Sequence, residues 1–162
     1  MSARIPPALK ALALAALLSA GASAQAADPV TDAMQAANTP YRMALFKTNG
    51  KSQPEAQQAL AQAQQAWDKF GAQFAAKPAA PYDRDPAFAA SVAEVAKVYT
   101  KAMAEINANQ LSDAHNTLEH ARDVMAAMRQ RNNVVVFSDH MNEYHSQMEL
   151  IVVDGNATLA QP

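Results

Sequence analysis

The sequence predicts an all-α protein, an up-and-down antiparallel helix bundle of four helices plus an additional C-terminal helix. Three observations carry that expectation. Half of the 162 residues are apolar, and Ala, the strongest helix former and a weak strand former, dominates that half. Only four Gly are present, little turn chemistry for a many-stranded fold. Apolar residues also recur at alternating steps of four and three, which places them on one face of a helix.

Residues 1–24 read as an export signal. Arg4 and Lys10 give a basic start, Ala11–Ala20 is an uncharged apolar run, and Ala22-Ser23-Ala24 supplies small residues for cleavage after Ala24. Ala24-Gln25-Ala26 offers a second position, after Ala26. A membrane span needs about 20 apolar residues, more than this run holds, so no span is expected once the signal is removed. The implied location is periplasmic or secreted. Removing Arg4 and Lys10 from the 13 Lys and Arg leaves 11 against 15 Asp and Glu, a formal net charge of −4. With both signs dispersed and no basic stripe, nucleic acid is not an expected partner. The absence of Cys excludes disulfides, thiolate metal sites and a cysteine nucleophile.

Residues 25–39 are small and polar and read as a flexible lead-in or a short helix. Thr39-Pro40 resembles a cap followed by Pro at a first helical position, opening a bundle domain over 40–153. Tyr41 and Leu45 then line one side until Asn49-Gly50; alternatively, Pro40 kinks one longer helix over 30–48. Ser52-Gln53-Pro54-Glu55 has the form of a capping box, and Ala56, Leu60, Ala63, Trp67, Phe70 and Phe74 form the second stripe. A Pro-rich link runs from Lys77 to Pro86. Asp85-Pro86 opens the third helix, striped by Phe88, Val92, Val95, Tyr99, Met103 and Ile106. The short turn Asn107–Gln110 forces the next helix back antiparallel. With Ser112 as cap, that helix carries Ala114, Leu118, Ala121, Met125 and Met128. Val134–Phe137 is expected as an extended connection packed on the bundle. Ser138 then caps a fifth helix burying Phe137, Met141, Tyr144, Met148, Ile151 and Val152, and Asp154-Gly155 leads into a loose tail, 154–162.

Lys101-Ala102-Met103 through Asn107, the Asn-Ala-Asn-Gln-Leu turn, Asp113-Ala114 and the run Leu118 to Arg131 resemble the hairpin of the periplasmic four-helix-bundle cytochromes, both the soluble b-type and cytochrome c′. That resemblance implies a four-helix fold and a haem. Cytochrome c′ attaches its haem through C-x-x-C-H, which a Cys-free chain lacks. In the b-type pattern Met43 falls near the first ligand and Arg129 falls where the second ligand, a His, would stand. The resemblance therefore speaks for the fold more than for the cofactor, and no cofactor is expected.

His115, His120, His140 and His145 cluster in the C-terminal third with Met103, Met125, Met128, Met141 and Met148. Imidazole and thioether together suit copper. Each His pair is spaced i, i+5, about 140° apart around a helix, so the four do not converge on one metal. The one local set of matching softness is His145 with Met148, joined by Met125, for weak copper binding. Antiparallel packing of the last two helices would set Met128 nearest Met141, Met125 nearest Tyr144, and His115 by Ile151 or Asp154. Arg122 and Arg129, seven apart beside the fourth stripe, read as ion-pair partners for Asp139 or Glu143, or as a clamp for a carboxylate or phosphate. No Ser-His-Asp order, H-E-x-x-H, Glu-x-x-His, Gly-rich phosphate loop or paired-carboxylate motif occurs, so no enzyme is expected. The function expected is a non-catalytic exported bundle binding a protein partner or a small ligand. The alternative is a periplasmic copper or haem carrier using the Met/His cluster.

Overall fold

The computed structural model describes residues 28–144 together with 147 and 148. The signal segment 1–24 with both cleavage positions, His145, Ile151, Val152 and the tail 154–162 lie outside the described residues. The first helix, α1, spans Pro29–Thr48 without interruption. Asp28 caps it by accepting the Thr31 N–H at 2.9 Å, with Pro29 in the first turn. The lead-in expected up to residue 39 is therefore, from Pro29 on, the first half of this helix, and the longer of the two readings is the one observed. Pro40 sits inside α1. Its missing N–H leaves the carbonyl of Ala36 without a helical donor, and Ala36 is exposed, so water can satisfy it. Val30, Met34, Ala37, Tyr41, Ala44 and Thr48 carry one buried stripe straight through the proline.

α2 spans Gln53–Phe74 and buries every residue of its predicted stripe, with Ala59 added. The capping box does not form: Ser52 makes no side-chain cap, and Glu55 instead pairs with Lys47 of α1 at 2.9 Å. The Gln53 amide donates to the carbonyls of Ile106 and Asn107, tying the start of α2 to the end of α3. After the link, a 3-10 turn at Tyr82–Arg84 places the Tyr82 ring in the core, its hydroxyl 2.7 Å from that of Thr31.

α3 spans Phe88–Asn107, and Asp85 accepts the Ala87 N–H just ahead of it. Here α3 comes close to α2: a Cβ added at Gly71 would meet a Val92 methyl at 3.3 Å, while the Trp67 indole N–H donates to the Val92 carbonyl at 2.9 Å. α4 spans Leu111–Arg131, starting at Leu111 itself, with Gln110 and not Ser112 at the cap position. α3 and α4 end alike. Asn109 and Asn133 take positive φ, 59° and 55°, and the N–H groups of each Asn and its successor return to carbonyls of the last turn. Asn is one of the few residues that enter this left-handed conformation readily.

α1 packs on α2 and α3 on α4 as two hairpins, and α2–α3 and α1–α4 contacts close the ring. Met34 of α1 lies beside Arg129 of α4, and Tyr41 reaches Leu118, so neighbours run antiparallel. Trp67, Tyr41, Tyr99, Leu60 and Leu118 fill the interior. No helix among the described residues is long and apolar enough to cross a membrane.

Residues 134–136 form no regular element, with Val134 packed on the core and Val135 exposed. The fifth helix, α5, covers 137–144, and 147–148 are helical too. Its first turn is held by Asp139, whose carboxylate accepts the Val136 N–H at 3.1 Å. The stripe expected to bury here does not: Phe137, Met141, Tyr144 and Met148 are all exposed, because the ring α1–α4 is already closed.

Candidate functional site

α5 lies across the seam between α1 and α4, and the three helices enclose a groove of about 310 Å³. α1 contributes Asn38, Tyr41, Arg42 and Leu45; α4 contributes Arg122, Met125 and Arg129; α5 contributes Phe137, Ser138, Met141 and Asn142. Each set follows from helical spacing. Asn38, Arg42 and Leu45 are four and three apart, as are Arg122, Met125 and Arg129 in steps of three and four, so each helix turns one continuous side to the groove.

Arg129 fixes the outer wall. Its side chain is buried at 8% exposure and that of Asp139 at 12%, and the two are joined by a forked ion pair. Nε donates to both carboxylate oxygens, at 2.9 and 3.1 Å; Nη2 also bonds the carboxylate, and Nη1 approaches the Met34 sulfur at 3.4 Å. This is one of the two ion-pair partners the sequence offers Arg129. Arg122 differs from expectation. Among the described residues its ion pairs are with carboxylates of its own helix, Glu119 at 3.5 Å and Asp123 at 3.3 Å. At the floor, the Tyr41 hydroxyl donates to the Leu118 carbonyl at 2.9 Å. Burial pushes the Tyr41 phenol far above its ordinary range, so it remains a neutral donor.

Of the residues singled out in the Met/His cluster and the Arg pair, the groove thus gathers Arg122, Met125, Arg129 and Met141. Met148 is exposed on the α5 segment, and His145 lies outside the described residues. The expected neighbours of His115, Ile151 and Asp154, lie outside the described residues. The His115 Nδ1 lies 3.1 Å from both the Thr48 hydroxyl and the Leu45 carbonyl, which places it against the end of α1. His120 is exposed, 3.8 Å from Glu94, and His140 is exposed on α5. No group of three His, Asp or Glu among the described residues is arranged to hold a metal. The residues present do not fit a haem either. Aromatic rings fill the space between the four helices, Met43 is half exposed on the surface, and the Arg129 guanidinium is committed to Asp139.

Asn38 and Arg42 were not among the candidates taken from the sequence. Both become visible once the 3.6-residue period is carried through Pro40. Comparison with protein-family models, with curated proteins and with solved structures gives no match.

Proposed function

We propose that this chain is an exported, non-catalytic binding protein that holds a small ligand in the groove between α1, α4 and α5. The observation that carries the reading is the groove itself. Its volume stands at the lower end of the range for small-molecule sites, and its lining mixes apolar walls with a few polar groups. The non-catalytic part rests on the chemistry of that lining. Among the described residues its polar groups are guanidinium, carboxamide and hydroxyl, with no imidazole or carboxylate that could exchange a proton near neutral pH. The export part rests on residues 1–24.

A fragment screen on the purified protein by two-dimensional nuclear magnetic resonance tests the reading. Binding fragments should shift amides clustered at 38–45, 122–129 and 137–142, and Ser138→Trp, which fills the groove, should abolish those shifts. Shifts scattered elsewhere, or binding indifferent to Ser138→Trp, would overturn it.

A further inference from the structure

The groove lining is electrically one-sided. Among the described residues three guanidinium groups face it and no carboxylate does. Arg129 is neutralised by Asp139, which leaves Arg42 and Arg122. Arg122 is held only at 3.3 and 3.5 Å, by the partly exposed carboxylates of Asp123 and Glu119. Arg42 has no ion pair or hydrogen bond among the described residues. The antiparallel register places these two together. With Met34 beside Arg129 and Tyr41 beside Leu118, Arg42 falls within one helical turn of the level of Arg122 on the neighbouring helix. From that level towards the Arg129–Asp139 pair, the lining turns apolar, with Met125, Phe137 and Met141.

We infer that the groove takes a small amphipathic carboxylate, its head between Arg42 and Arg122 and its apolar tail along Met125, Phe137 and Met141. The inference rests on the binding reading above and names its ligand class. Guanidinium binds carboxylate through two parallel hydrogen bonds, and such charge-assisted bonds are stronger than neutral ones. The volume limits the tail to a short chain or a single ring, and excludes a two-chain lipid.

Calorimetric titration of the full protein with octanoate, octanol and octylammonium separates the claims. Octanoate should bind at least about tenfold more tightly than octanol, and octylammonium should not bind. Arg42→Gln should weaken octanoate about tenfold and leave octanol unchanged; Arg122→Gln should do the same to a smaller degree, since Arg122 already has carboxylate neighbours. Equal binding of octanoate and octanol, with Arg42→Gln silent, would leave the groove as a binding site and overturn the carboxylate. Failure of both octanoate and octanol to bind would overturn the groove reading together with the inference.

Discussion

α4 and α5 carry the same apolar spacing and end up in opposite environments. In α4, Ala114, Leu118, Ala121, Met125 and Met128 are at most 2% exposed. In α5, Phe137 is 77% and Tyr144 60% exposed, with Met141 and Met148 near half. The difference lies in the neighbours and not in the helices. α4 has α3 on one side and α1 on the other, so its stripe closes a ring. α5 arrives after the ring is complete and is held by polar contacts instead: the Arg129–Asp139 pair, with Ser138 and Asn142 turned to the groove. Heptad spacing fixes which residues share a face; it does not supply a partner for that face.

The largest test of this contrast lies in the ring. Trp67 is fully buried and its indole N–H donates to the Val92 carbonyl, so Trp67→Ala leaves a cavity and removes that bond. It should lower stability by about 3–5 kcal/mol, read from urea unfolding followed by circular dichroism. A loss below about 1 kcal/mol would mean the ring interior is not packed as described.

The joint between the two regions should come next. Asp139→Ala leaves the Arg129 guanidinium buried and unpaired and should cost about 2 kcal/mol. Arg129→Met, which places an apolar chain beside Met34, should cost less, because it removes the charge as well as the pair. Equal losses in the two variants would show that α5 is held by something other than this pair.

A third test stays within the ring, at the C-terminal end of α4. Burial acts to raise the Asp85 carboxyl, but hydrogen bonds from Arg131, the Ala87 N–H and Asn132 outweigh it and hold the group below its ordinary value. Its folded value is therefore lower than its unfolded one. The stabilisation is complete above the ordinary aspartate range, roughly pH 4, and is lost as pH falls through the lowered folded value. Asp85→Asn should cost about 1–2 kcal/mol at pH 7, and the gap to the unaltered protein should narrow below about pH 4. A gap constant between pH 7 and pH 3 would contradict the sign.

The stripes of α2 and α3 were legible nearly residue by residue, from Ala56 to Phe74 and from Phe88 to Ile106, because unbroken heptads between strong terminators leave one helical phase. α1 was legible only in part. Pro40 after Thr39 carries the local chemistry of a helix start, and nothing local reveals that the lost hydrogen bond falls on an exposed turn. That one feature also concealed half of the site, since Asn38 and Arg42 lie on either side of it. The α4 wall was readable, as Arg122, Met125 and Arg129 share a side by spacing alone. The placement of α5 was not, because it depends on a ring closed by contacts distant in sequence.

The smallest expected effect tests the contrast most directly. If the α5 stripe faces water, Phe137→Ser and Tyr144→Ser remove apolar surface that was never buried, and unfolding stability should stay within about 0.5 kcal/mol of the unaltered protein. The denaturation midpoint should also be independent of protein concentration in all three proteins, since a stripe paired between copies would make stability rise with concentration. Each substitution lies off the Arg129–Asp139 joint, so α5 itself should remain docked. A loss above about 1.5 kcal/mol at constant concentration would mean that burial, and not the ion pair, anchors this helix. α5 would then be a fifth layer of the core, and the distinction between ring and rim would fall.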